Sequence, residues 1–322
     1  MKKLSLETSI APASDAGQSG VLALANENRM EAANYSQPVT DFMIGVLGTD
    51  LAALVAELDL IAPPVRTARR FEYKKQAAGL SFLADQNDER APGAKFRRVE
   101  AGGSSVNAKT ANRGLSITLD RDELVEGSIE QSAKWLTAIL LRNELIRAVA
   151  ALDAGSTNTP VTFSDSTDPH GLIETALIAA HTARGIYPNK VISGLTAWSK
   201  ARSAYRASTK AGALALAAMT PDELAQALAL EALHVSKTVY KTTGTGTKTQ
   251  FLSNLIYAYF TEDVANKDDG SNIKRFWTPC AGGEQIRVYV DDTQAKTVEV
   301  IVEMYSTVAV TDSTGIRKLT VS

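Results

Sequence analysis

Apolar and polar positions along the chain set out most of its elements. The longest signal runs from Leu124 to Leu152. From Ser128 onward, Ile129, Ala133, Trp135, Leu136, Ile139, Leu140, Ile146 and Val149 recur at helical spacing, while Glu130, Lys134, Arg142, Glu144 and Arg147 fall on the other face. Ser128 and Gln131 have the spacing of a capping box, and Gly155 stands where a left-handed cap would close the helix. Such a helix spans about 35–40 Å, against a usual length of about 11–12 residues. Upstream, Thr40 to Leu60 carries apolar residues at roughly helical spacing, and Pro63-Pro64 stops it. Val65–Lys75, Phe96–Glu100 and Leu115–Leu119 read as extended.

Downstream the pattern alternates between helix and strand. Asp168-Pro169 opens a helix that stops at Gly185, and Lys190–Ser193 is a short strand. A helix follows over Thr196–Arg206, and Thr220 with Glu223 opens another through a capping box. Leu233–Tyr240 and Glu284–Val290 read as strands. Thr297–Val310 alternates strictly enough to predict a long strand with one buried side, and Ile316–Val321 gives a last short one.

Two stretches have no means of burying themselves. Ser9–Gly20 is small and polar, and Leu22–Ala33 has helical character only on contact with something else. Residues 1 to about 40 therefore read as an arm, better explained by packing on a neighbouring subunit than by a solvated tail. Residues 65–119 read as a projecting hairpin with a turn-rich middle containing Asp85-Gln86-Asn87-Asp88 and Pro92-Gly93. Basic side chains concentrate there: Arg66, Arg69, Arg70, Lys74, Lys75, Arg90, Lys95, Arg97 and Arg98, against Glu72, Asp85, Asp88 and Glu89. Aromatic interleaving is thin, so contact between protein subunits is favoured over a nucleic-acid patch or a solvated loop. A two-stranded arm is marginal by itself in water, and a neighbour would complete it.

Composition narrows the classes. The 322 residues are 44% hydrophobic, enough for one large or two moderate cores. A net charge of −2 demands neither nucleic acid nor an anionic membrane. The single cysteine, Cys280, excludes an intramolecular disulfide framework and reads as a packed small residue. No apolar run approaches the roughly 18 residues of a membrane span, and Lys2 and Lys3 precede no secretory core.

Catalytic chemistry is hard to assemble from these residues. Thr243–Thr249 lacks the glycine that a phosphate loop places directly before Lys248, so a flexible loop is the better reading. His170 and His181 share a helix face but lie about 16 Å apart along it, too far to share a metal; His234 stands alone. Gly102–Ser105 lacks the closing glycine of a nucleophile elbow, and Asp268-Asp269 and Asp291-Asp292 read as turn acids. No base, nucleophile and oxyanion site emerge together, so neither catalytic residues nor a cofactor or metal site are expected.

The order of elements, a small-residue arm, a basic hairpin, a long helix, an α/β body and a long alternating strand, resembles the major capsid proteins of tailed bacteriophages. Arg90–Phe96 resembles the returning side of that family's extended loop, and Arg113–Asp120 the strand entering its spine helix. Gly185–Val191 resembles the helix-to-strand turn of the axial domain. Phe276–Gly283 and Val288–Asp292 resemble the segment before the closing strand, and Glu299–Gly315 that strand itself. The motifs are loose; their order covers nearly all of the chain past Tyr35.

The resemblance implies an α+β chain with the tailed-phage major capsid fold: an N-terminal arm, an extended β-hairpin loop, a peripheral domain with a long spine helix, and an α/β axial domain. The expected division is 1–61 arm, 62–119 extended loop, 120–154 spine helix, 155–290 axial domain and 291–322 closing strands. It implies self-assembly through hexamers and pentamers into an icosahedral-type shell around double-stranded DNA held without sequence readout. Implied partners are a portal protein, possibly a decoration protein, and a scaffolding protein encoded separately, since some forty residues precede Phe42. The implied location is the virion, assembled in the bacterial cytoplasm, with no membrane. The nine basic hairpin residues are the expected intersubunit contacts. An encapsulin-type compartment shares the fold and is the first alternative; a soluble α/β enzyme using Gly244–Thr249 is the second.

Overall fold

The computed structural model describes residues 34–48, 51–76, 103–241, 246–262, 266–281 and 283–322. Within them the helices are α1 (Gln37–Gly48), α2 (Ala52–Ile61), α3 (Ser128–Gly155), α4 (Pro169–Arg184), α5 (Leu195–Ala207), α6 (Ala213–Ala218) and α7 (Pro221–Ala227). The strands are β1 (Pro64–Arg66), β2 (Arg70–Gln76), β3 (Gly103–Lys109), β4 (Ala111–Asp120), β5 (Thr157–Val161), β6 (Lys190–Gly194), β7 (Ala232–Ser236), β8 (Val239–Lys241), β9 (Lys248–Gln250), β10 (Leu255–Tyr259), β11 (Ile273–Thr278), β12 (Ile286–Asp291), β13 (Thr297–Val310) and β14 (Arg317–Val321).

Two five-stranded sheets carry the body. In the first, β13 is the common rail. β4 pairs along one of its edges from Thr297↔Asp120 to Ser306↔Ala111, while β12 and then β11 share the other, and β1 adds in parallel outside β11. The second runs β5-β14-β10-β6-β7 and mixes parallel with antiparallel pairs. Its one face packs under α4, α5 and α7 through Ile173, Leu177, Ala197, Leu224, Val191, Ile256 and Val321. Its other face, through Ile192, Tyr257 and Tyr259, packs on α2 and α3. At Gly194 a side chain is impossible, because a Cβ would lie 2.0 Å from the Ser253 carbonyl oxygen where the 252–253 loop crosses.

α3 joins the two sheets. Its 28 residues extend about 42 Å. Ala133, Leu136 and Leu140 pack with α1, β4, β12 and β13 on the first sheet. Leu141, Leu145, Ala148 and Leu152 pack with α2 and the second sheet. The expected stripe is buried at Ala133, Leu136 and Leu140, but farther along Leu141, Leu145, Ala148 and Leu152 take the buried face in place of Ile146 and Val149. Trp135 is 56% exposed, whereas Glu144, expected in solvent, is fully buried. Glu144 is held across the joint through one oxygen: Ser306 Oγ donates to Oε2 at 2.8 Å and Arg147 one turn on forms an ion pair with the same atom, while Oε1 has no partner among the described residues. Both ends of α3 also differ from expectation. Gly127, with φ of +83°, caps the start, and Ser128 Oγ accepts from the Val125 N–H rather than closing a capping box. Gly155 is the last helical residue, and Ser156 ends the helix in extended conformation. At Gly155 a Cβ would lie 3.1 Å from a Val310 methyl, so a side chain there would need Val310 to shift by a few tenths of an ångström.

Further charges are buried between elements. Arg275 on β11 pairs with Asp59 on α2 at 2.6 Å, Arg184 on α4 with Asp312 at 2.8 Å, and Lys274 with Asp269 at 2.9 Å. Burial lowers the pKa of Arg275 despite Asp59, and raises that of Asp59 despite Arg275. Desolvation thus outweighs attraction, so the pair fixes geometry more than it adds stability. The long helix after Asp168 ends at Gly185 with φ of +84°, and Thr220 and Glu223 close their capping box, both as the sequence indicates. The expected Thr40–Leu60 segment is two helices, and Leu233–Tyr240 divides into β7 and β8. β13 has the predicted limits, but Ile301 and Glu303 on its second side are buried as well.

Candidate assembly surface

β2 and β3 pair only with each other, from Arg70↔Lys109 to Gln76↔Gly103, as a separate two-stranded sheet rooted on the body. Alternation along β2 puts Phe71 and Tyr73 on one face and Arg70, Glu72 and Lys74 on the other. The apolar face makes the root. Phe71 and Tyr73 lie 4.5 and 5.2 Å from Phe276 on β11, ring centre to ring centre, with Val65, Val106 and Ala108 around them. The backbone N–H of Lys74 donates to Asp268 Oδ1 at 2.9 Å, a second fastening. At the elbow, Thr110 N–H donates to the Arg69 carbonyl, and its hydroxyl shares a 2.7 Å hydrogen bond with that of Thr278.

The structure separates the nine predicted basic residues. Arg66 stacks over Trp277 at 5.9 Å and Arg69 over Tyr305 at 5.1 Å, so these two stand at the elbow against aromatic rings. Arg70 and Lys74 share the outer face of β2, and Lys75 lies on the same strand's opposite face. Arg90, Lys95, Arg97 and Arg98 lie outside the described residues, as do the arm before residue 34 and the turn acids Asp85 and Asp88. The ladder adds a residue that sequence reasoning missed. Lys109 is directly opposite Arg70, giving the outer face Arg70, Lys74 and Lys109 around Glu72. The signal for it was the pairing of β3, which holds too few apolar residues to read as a strand.

Residues singled out for possible chemistry take structural roles. Lys248 sits in β9, paired with Lys241 of β8, and so does not precede a helix as a phosphate-loop lysine does; residues 242–245 lie outside the described set. His170 packs on Tyr205 at 4.7 Å, where burial lowers its pKa although Asp168 opposes that. His181 packs on Tyr187, and His234 lies in β7. The Cys280 thiol is buried and pushed up to about 12, by burial first and then by the Glu303 charge, which leaves it protonated at neutral pH. Asp291 accepts from the backbone and hydroxyl of Thr293, a turn acid's arrangement. Among the described residues no group of three His, Cys, Asp or Glu side chains could hold a metal ion. No described helix is long and apolar enough to cross a membrane.

No protein-family model matches the sequence, and no curated protein matches it. Solved structures do match. A phage-related protein from Bordetella bronchiseptica RB50 superposes with a TM-score of 0.65 at 17% identity, over 88% of this chain and 96% of that one. The capsid structure of the cyanophage P-SCSP1u gives 0.51 at 10% identity, over 81% and 86%. The chain has a phage-capsid fold. At these identities the likeness reports backbone architecture and not residue roles. The α+β class expected from the sequence, and the resemblance to tailed-phage capsid proteins, both agree with it.

Proposed function

We propose that the chain is the major capsid protein of a tailed bacteriophage, a structural subunit that assembles with copies of itself into a closed shell around double-stranded DNA. The observation that carries this reading is the two-stranded ladder of β2 and β3. It is held to its own body by a small aromatic cluster and a few hydrogen bonds, and its outer face presents three basic side chains. A ladder of that size is marginal in water and gains stability when a neighbour covers it. Arg66, Arg69, Arg70, Lys74, Lys75, Arg90, Lys95, Arg97 and Arg98 are proposed as intersubunit contacts, with Lys109 added.

The work of such a subunit is geometry, with no reaction of its own. Different faces meet different neighbours, and the contacts close into hexamers and pentamers rather than run on as a fibre. Each contact is weak, and tethering several to one rigid body multiplies their effect. The division into arm (1–61), extended loop (62–119), spine helix (120–154), axial domain (155–290) and closing strands (291–322) belongs to this proposal. So do a separate scaffolding protein, a portal, a decoration protein, assembly in the host cytoplasm and a final place in the virion. Electron microscopy of the purified protein, alone and coexpressed with its upstream gene product, tests the reading. Closed shells are expected; a compact monomer or dimer under both conditions refutes it.

A further inference from the structure

The segment between β10 and β11 leads from the second sheet to the first and meets the hairpin on its way. Its residues 266–272 wind around a buried cation. Lys274 on β11 is fully buried, and its ammonium donates to three oxygens of that loop: the Lys267 carbonyl at 3.1 Å, the Asp269 carbonyl at 3.0 Å and Asp269 Oδ1 at 2.9 Å. An ammonium has three protons, so every donor is used. The Asp269 carboxylate also holds the loop's own backbone, accepting from the Ser271 N–H at 2.7 Å and from the Asn266 N–H. A second buried cation grips the far end. Arg184 of α4 donates to the Gly270 carbonyl, to Asn272 Oδ1 at 3.1 Å and to Asp312 Oδ2 at 2.8 Å. Asn272 Oδ1 accepts from the Phe260 N–H as well, at 2.8 Å, just past the end of β10. Buried charges add little net stability, because desolvation offsets much of their attraction. What they fix here is the shape of one short loop. That loop turns Asp268 toward the hairpin, where the Lys74 N–H donates to its Oδ1 at 2.9 Å.

We propose that 266–272 is a latch that sets the direction of the hairpin against the second sheet, with Lys274 as its positioning residue. Lys274 and Phe276 share one face of β11, so the latch and the aromatic root lie side by side. The root joins the hairpin to β11 by ring packing, which tolerates a change of tilt. A hydrogen bond from a backbone N–H to a carboxylate is stronger and bound to a narrow range of distance and angle. Asp268 adjoins Asp269, so the hold of the ammonium on Asp269 keeps the Asp268 carboxylate within reach of Lys74. Lys274 thereby governs an amide on β2 that it does not touch. Through Arg184 and Asn272 the same loop is tied to α4 and to the end of β10, so the hairpin is aligned on the second sheet as well as on the first. The latch lies within one chain and stands whether or not shells form.

Amide hydrogen exchange of the purified full chain, resolved to Lys74, tests this as a double-mutant cycle. Asp268→Ala removes the acceptor and should speed exchange of the Lys74 N–H by about tenfold, the loss expected of one hydrogen bond to a charged group. Lys274→Met keeps the apolar stem and removes the ammonium. It should speed the same amide by about as much, while amides of β6 and β10 keep their rates. The two substitutions together should do no more than either alone, because each opens the same latch. An unchanged Lys74 rate in Lys274→Met overturns the proposal, and so does an additive effect of about a hundredfold in the double variant. Equal acceleration in β6 and β10 also overturns it, since Lys274 would then act on the stability of the whole body. Should Lys274→Met fail to fold, Asp269→Asn takes its place and is held to the same outcomes; it keeps an oxygen for the Ser271 N–H and loses the charge that faces the ammonium.

Discussion

The second sheet and the hairpin root are built on opposite terms. The second sheet is covered on both faces, by α4, α5 and α7 on one side and by α2 and α3 on the other. The root of β2 and β3 rests on Val65, Tyr73 and Phe276, with Phe71, Val106, Ala108 and Ala309 half-buried around them. The first is stable through its own packing. The second is ordered at its base and has an outer face with nothing apolar to bury. A subunit divided this way keeps its stability in one place and its capacity for contact in another, so that each can change with little effect on the other.

The largest effect expected from breaking that division comes from deleting 67–98. The body should stay folded by circular dichroism and calorimetry, while shells disappear from micrographs; normal particles would refute the hairpin's role. Leu145→Ala on α3, where the side chain is fully buried, should cost about 2–5 kcal/mol in chemical denaturation and act on the whole body. Phe71→Ala should remove about 0.5–1.5 kcal/mol of ring contact with Phe276. Its signature is local: faster amide exchange in β2 and β3, with β6 and β10 unchanged. Equal acceleration everywhere would show that root and body unfold together. Arg70→Glu combined with Lys109→Glu should change stability by no more than about 0.5 kcal/mol while lowering shell yield. The smallest effect is a slope. The pKa of His170 is lowered in the fold, so the unfolded chain takes up the proton more readily, and stability shrinks as pH falls below about 6.5. His170→Gln should flatten unfolding midpoints measured between pH 7 and 5.

Reading the sequence succeeded where local patterning and packing agree. β13, the helix closed by Gly185, and the Thr220 cap need no tertiary information. It slipped where packing overrides pattern. Along α3 the apolar residues are numerous enough to draw more than one stripe: Ala133, Leu136 and Leu140 of the expected one are buried, but Trp135 is not, and the second half of the helix buries a different set. Leu141 and Leu145 win because they face α2 and β10, which no count along the helix reveals. Glu144 reads as a solvent residue because its partner, Ser306, is 162 positions away. β5 and β11 were missed for a related reason: Thr157–Val161 is mostly exposed, and Ile273–Thr278 contains Lys274, paired with the nearby Asp269, and Arg275, whose partner Asp59 is 216 positions away. At the hairpin, composition located the basic stretch, but only the register could add Lys109 and separate the elbow arginines from the outward-facing ones.

The rail formed by β13 has a mechanical consequence. β3 passes into β4 through the single residue Thr110, and β4 lies against β13 over ten consecutive pairs. A lengthwise tug on the hairpin therefore loads that ladder in shear, with its hydrogen bonds strained together rather than peeled one after another. The other edge of β13 passes the load to β11 and β12, and Ser306 hands part of it to α3 through Glu144. Stress on a slender projection is thus spread over a whole sheet and a 28-residue strut before it reaches any core.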